Sequence, residues 1–265
     1  MPLATEHIRR MRGGAQSHLM RCEDENFYIV KFQNNPQGTR ILANELLGTR
    51  LAARMGVAVA GAEVIEVRPE MVALTEDLVV QLGRGRVPCA AGLEFGSQYP
   101  GHPATTAVYD FLPDEQLRRV ENLADFCGIF VFDKWTCNTN GRQAIFLRAR
   151  DAERYRAVMI DHGFCFNASE WNFPDAPLRG IYARSLVYEQ ARGWEAFEPW
   201  IERVEKRMNE SVLDEVAREI PPEWSNFDQD ALYRLLERLL RRRKLVRELV
   251  LNAKNSSRMP FPHWT

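Results

Sequence analysis

The chain has no apolar run approaching the roughly 20 residues that a membrane-crossing helix needs. Residues 1–12 carry no apolar leader core either, so neither a membrane span nor secretion is expected. Cysteine is scarce. Cys22, Cys89, Cys127, Cys137 and Cys165 make an odd set with no Cys-x-x-Cys and no accompanying paired histidines. That excludes a zinc ribbon and a disulfide framework and points to reduced thiols in a cytoplasmic protein. An excess of one charge is also lacking. Lys and Arg number 35 against 36 Asp and Glu, for a net charge of −1. Whole-molecule steering toward nucleic acid or an anionic membrane is therefore not expected. There is no internal repeat and no low-complexity stretch. The Gly-rich segment at 13–17 is not followed by Gly-Lys-Ser/Thr, which rules out a Walker A loop.

What is present is 265 residues with 45% hydrophobic content, enough for a large core in one domain or one bilobed unit. Residues 27–32 read as a strand, broken by Asn34, Asn35, Pro36 and Gly38. The four-residue spacing of Leu47, Leu51 and Met55, stopped by Gly56, predicts a helix over 39–55. Strands are expected at 62–67 and 71–74, and a Gly- and Pro-rich connector over 83–103. A second helix should run from Pro113-Asp114 to about Trp135, ahead of a polar loop at 136–143. Two short strands, 144–147 and 157–160, follow. Residues 164–179 read as irregular, residues 194–253 as mostly helical with a break at Pro221-Pro222, and the tail from 255 as frayed or draped on the surface. The pattern is α+β, with a small β-rich N-terminal lobe carrying one helix (1–90) and a larger, mainly helical C-terminal lobe (91–265).

Within that order stand the parts that phosphoryl transfer requires. Gly13 and Gly14, with Ser17, could bring backbone N–H groups close to phosphate oxygens, or form an ordinary turn. Lys31 sits in an otherwise apolar strand and must reach an anion or water. Glu45, on the next helix, is a suitable partner, and a fixed Lys–Glu pair would present the ammonium to the α- and β-phosphates of ATP. Asp133 and Asn138 lie five residues apart, the Asp-to-Asn spacing of a protein-kinase catalytic loop. They read equally as a helix-end acceptor and a loop-turn residue, as does Asn140. Ile160-Asp161-His162-Gly163 ends an apolar strand on a carboxylate beside a glycine, an arrangement that would hold Mg²⁺. Residues 231–250 carry seven basic side chains against Glu237 and Glu248. The leucines between them read as a packed helix with a solvated basic face, so nucleic acid is not the expected partner.

Taken together, Arg12 to Ser17, Tyr28 to Phe32, Ala43 to Leu47, Phe132-Asp133 through Asn140, and Ile160 to Gly163 resemble the HipA-like kinases, in the same order. The nearest branch is the bacterial stand-alone domains. The resemblance implies a bilobed protein-kinase-like fold with ATP and Mg²⁺ as cofactors. It implies Lys31 on ATP, Asp161 and Asn138 on metal, Asp133 or Asn140 orienting the acceptor, and a protein Ser/Thr substrate or a regulatory protein partner. Relatives carry Asn-x-Asp where this chain has Asn138-Thr139-Asn140, and a metal-binding Asn a few residues later, where only Gln143 could substitute. An amide cannot accept a proton as a carboxylate does. A nucleotide-binding pseudokinase is therefore the alternative.

Overall fold

The computed structural model describes residues 1–150 and 152–265. Its N-terminal part is a five-stranded antiparallel sheet in the order β1 (Ala4–Arg10), β2 (His18–Cys22), β3 (Phe27–Lys31), β7 (Gly92–Gln98) and β4 (Ala62–Val67). Strands β1 (Ala4–Arg10) and β2 (His18–Cys22) form a hairpin with Gly13 and Gly14 at its tip, and β3 (Phe27–Lys31) follows. The glycine turn leads into β2, which intervenes before the strand that carries Lys31. Helix α1 (Arg40–Met55) matches the expected span and is buried on nearly every side, packing on β4 (Ala62–Val67), β7 and the helical part. Burial of Leu46, Leu47 and Leu51, all essentially inaccessible, stabilises by about 2 kcal/mol each. Gly56 ends the helix at φ 88°, where Val57 N–H reaches back to Ala52 O at 3.1 Å. This left-handed cap tolerates glycine best.

Two local expectations fail here. Residues 71–74 belong to α2 (Pro69–Leu74), because Pro69 is preset for the first helical turn and Glu70 sits favourably beside it. β5 (Val79–Leu82) pairs with β6 (Gly85–Pro88), and the expected connector contains β6 and then β7 (Gly92–Gln98), which lies between β3 and β4. The β-rich part therefore extends past residue 90, to 98. Glycines hid this strand. At Gly96 a Cβ would stand 2.4 Å from Ile65 Cγ1 on the neighbouring strand, so the sheet requires the residue that weakens the strand signal.

The C-terminal part begins with α3 (Asp114–Leu117) and α4 (Asp125–Thr136), which replace the single long helix expected over this stretch. Between them Val120 bridges Tyr155, and the Asn122 amide accepts from Ala157 N–H and donates to Ala157 O, both at 2.9 Å. That side chain competes successfully with helix continuation. The expected hairpin is β9 (Gln143–Arg148) with β10 (Arg156–Ile160), and β8 (Ala107–Tyr109) adds a third strand. Helices α5 (Glu198–Arg207), α7 (Gln229–Arg242) and α8 (Val246–Lys254) pack on α4, while α6 (Glu210–Ala217) packs on α1 and α7, with a short 3₁₀ turn at Pro222–Ser225. The tail is not frayed. Phe261 is buried against Phe130, Tyr188 and Phe197. All five cysteines are free and buried. No helix among the described residues is long and apolar enough to cross a membrane.

Candidate active site

Lys31 ends β3, and its side chain turns toward α1. The ammonium pairs with Glu45 Oε1 and, at 2.8 Å, with Asp161 Oδ1. One cation thus joins a strand, a helix and the end of β10 across 130 residues of sequence. Burial works against the charge on Lys31, but the Glu45 and Asp161 carboxylates outweigh it and hold its pKa above the ordinary lysine value. Burial likewise opposes charge on Asp161, and the Lys31 ammonium overcomes it, leaving the carboxyl at about 2. Burial, reinforced by Asp161, raises the Glu45 carboxyl against the pull of Lys31, so two carboxyl groups share one ammonium in a cleft that water still touches.

The turn that carries Asp161 is held from several sides. Asp161 has φ 63°, a left-handed conformation costing a non-glycine residue about 1–2 kcal/mol. His162 N–H donates to Glu45 Oε2 at 2.8 Å. Asn44, fully buried in α1, donates to Gly163 O and Ala168 O at 2.8 Å and accepts from Trp171 Nε1 at 2.8 Å. The His162 ring lies edge-on to Phe132 with both nitrogens unpaired, and burial keeps it neutral. It fits only because position 48 is glycine, where a Cβ would stand 2.7 Å from His162 Cβ. His162 is therefore a packed turn residue.

Asp133 is placed differently. It lies in the last turn of α4, and Arg142 grips both carboxylate oxygens, with Nε–H donating to Oδ2 at 2.9 Å and Nη2 donating to Oδ1. Both side chains are sealed from solvent. The same guanidinium donates to Ile160 O at 2.7 Å and Asp161 O at 3.3 Å. Arg142 thus ties the loop to the backbone that carries the metal-type carboxylate. Asn138 donates to Asp133 Oδ1 at 3.1 Å and accepts from Asn140 N–H at 3.1 Å, so its amide closes the loop on itself. Asn140 is exposed. Gln143, not Asn138, meets Asp161: its Nε2 donates to Asp161 Oδ2 at 2.7 Å.

Gly13, Gly14 and Ser17 lie in the β1–β2 tip, closed by Met11 N–H to Ser17 O at 2.8 Å. Gly13 has φ 124° and open space where a Cβ would project. Gly14 packs on Gln37, whose carbonyl accepts from the Ser169 hydroxyl beyond Asp161. The tip is linked to the acid's segment through that turn and makes no hydrogen bond with Lys31. Sequence reasoning passed over Arg142 and gave Asn44 no role. The available signal for Asn44 was an amide inside an otherwise apolar helix; for Arg142 it was a cation beside buried strands.

The donors suit a shared divalent cation. Among the described residues, no group of three or more His, Cys, Asp or Glu side chains is arranged to hold a metal alone. Asp161 supplies hard carboxylate oxygens of the kind that Mg²⁺ or Mn²⁺ uses when substrate phosphates complete the shell, and Gln143 stands beside it through its Nε2. On α7, Arg242 is buried, whereas Arg234, Arg238 and Arg241 are exposed. Arg242 pairs with Asp175 at 2.7 Å, Arg238 donates to Trp171 O at 3.1 Å, and Arg243 donates to Glu205 O at 3.2 Å.

Residues 4–250 match the family described as HipA-like kinase. No curated protein matches the chain. In structure it is similar to the Golgi casein kinase, with TM-score 0.59 and 11% identity over 97% of this chain and 74% of that one. The same kinase with Mn/ADP bound gives TM-score 0.52 and 10% identity over the same shares. A Helicobacter pylori proinflammatory kinase, CtkA, gives TM-score 0.48 and 13% identity over 95% of this chain and 97% of that one. The fold is kinase-like, β-rich at its N-terminal side and helical at its C-terminal side.

Proposed function

The chain belongs to the HipA-like kinase family, and from that premise we propose that it transfers the γ-phosphoryl group of ATP, with Mg²⁺, to a serine or threonine hydroxyl of a protein. The observation that carries this reading is the meeting of Lys31, Glu45 and Asp161 around one ammonium. Glu45 fixes Lys31 at the cleft wall, so its charge is aimed before ligand arrives. Lys31 then binds phosphate oxygens while Asp161 and Gln143 face the cation. That cation would neutralise charge on the phosphates as the γ-group leaves. The Gly13–Gly14 tip offers backbone N–H groups from above. Arg142, bonded to the Asp161 backbone and the Asp133 carboxylate, keeps the loop in register with the metal site. Exposed Asn140 orients the acceptor hydroxyl. Buried, unpaired thiols favour a reducing, cytoplasmic setting.

The test is thermal stabilisation by Mg-ATP, expected in the natural chain and abolished in Asp161→Ala. An undiminished shift in that variant rejects the metal role.

A second reading has its own support. Asp133 is sealed against Arg142, and the exposed loop position bears an amide, so no free carboxylate stands ready to accept the hydroxyl proton. A nucleotide-binding pseudokinase regulating a protein partner fits that observation. Asn140→Asp separates the two readings. A slow kinase should gain turnover on the order of 10²-fold or more from a positioned base. A pseudokinase would show no phosphoryl transfer in either form.

A further inference from the structure

Beside Asn140 the helical part opens into a groove of about 620 Å³. We propose that this groove holds the acceptor as an extended protein segment carrying acidic side chains near its hydroxyl residue. The assignment rests on the phosphotransferase reading above and names the class of substrate it would take. Leu178, Ile181 and Tyr182 line the groove together with Arg179 and Arg258. No Asp or Glu lines it. Neither arginine is ion-paired to a carboxylate among the described residues; the Arg179 guanidinium donates to Pro174 O. Asp175, four residues before Arg179, is held by Arg242 at 2.7 Å, and Glu189 faces Arg118 at 3.4 Å. Two cations without counter-charges beside the acceptor position favour an anionic occupant.

The floor is rigid and shares its supports with the loop. Lys134 donates to Ala176 O at 2.9 Å and Pro177 O at 2.8 Å. Gly180 N–H donates to Asn140 O at 3.2 Å, and Arg142 N–H donates to Ile181 O at 3.2 Å. Gly180, at φ 75°, packs where a Cβ would stand 2.4 Å from Asp133 Cβ. An occupant on this floor would therefore be held in fixed register with Asn140. Two arginines around an apolar floor suit a peptide backbone with a few carboxylates. A nucleic acid strand would call for a longer row of phosphate contacts.

The experiment uses the full chain and two fluorescein-labelled serine peptides, one flanked by glutamates and one by lysines. Binding is followed by anisotropy without nucleotide. The glutamate peptide should bind more tightly than the lysine peptide, and its affinity should fall as salt rises. Arg179→Glu with Arg258→Glu should weaken it by about tenfold or more. Equal binding of the two peptides, absence of binding, or unchanged affinity in the reversed variant overturns the assignment. So does a single-stranded oligonucleotide that displaces the glutamate peptide at lower concentration. Arg258→Ala, at an exposed tail position, gives a milder arm with a smaller loss of the same sign. The Mg-ATP melting shift reads the nucleotide site separately: its absence in the natural chain strikes the phosphotransferase reading, whereas charge-blind peptide binding strikes the groove alone.

Discussion

The molecule contains two buried clusters of cation and carboxylate that differ in balance and exposure. At Asp133–Arg142 one carboxylate meets one guanidinium, and both side chains are 0% exposed. At Lys31–Glu45–Asp161 two carboxylates share one ammonium, and the side chains retain 12%, 3% and 22% exposure. The balanced pair has satisfied its own charges and has no route to solvent, so it serves as a fastener. The unbalanced cluster keeps a second carboxyl group beside its one ammonium at a partly exposed cleft, where its contacts are free to rearrange. Residue type does not distinguish the two; stoichiometry and access do.

The largest expected contrast comes from truncating each acid. Asp133→Ala strands the Arg142 guanidinium in the interior and should cost about 3–5 kcal/mol in urea unfolding. Asp161→Ala leaves Lys31 paired with Glu45 and should cost clearly less. Equal losses would erase the distinction between fastener and site.

A pH titration sharpens it further. The Asp161 carboxyl is lowered from 3.8 to about 2, so its contribution to stability is present above 3.8 and disappears as pH falls toward 2. Compared with Asp161→Asn, the natural chain should lose an advantage of about 2 kcal/mol across that window. A constant difference would mean that Lys31 does not hold the acid ionised in the folded chain.

The smallest effect belongs to exposed charge on α7. Arg241 pairs only with Glu237 one helical turn away, in water. Arg241→Ala should change stability by no more than about 0.5 kcal/mol, whereas its sealed neighbour Arg242, which bonds Asp175 and the Lys134 and Trp135 carbonyls, should not tolerate truncation so readily.

Much of the site was legible from local pattern. A lysine in an apolar strand, an acid inside a helix, and a strand ending in Asp-x-Gly each carry their own signal. Those residues, Lys31, Glu45 and Asp161, are the ones the fold brings together. Asp133 and Asn138 carried an equally clear signal from spacing, yet they face each other and Arg142. Spacing reports where along the chain a side chain arises, not which face of the loop it takes. Arg142 escaped notice because its partners lie nine residues back and, at the end of β10, 18 and 19 residues on. The extra strand β7 was obscured by glycines that close sheet packing demands, and the split between α3 and α4 by an asparagine whose partner, Ala157, lies 35 residues away.

The sequence by itself determined which segments could be strand, helix or turn, and that one lysine and two acids needed partners, because propensity and periodicity act over a few residues. Tertiary structure decided which carboxylate would be sealed in a balanced pair and which would stand at the cleft. That outcome depends on burial and on distances between segments more than 100 residues apart, which local pattern does not encode.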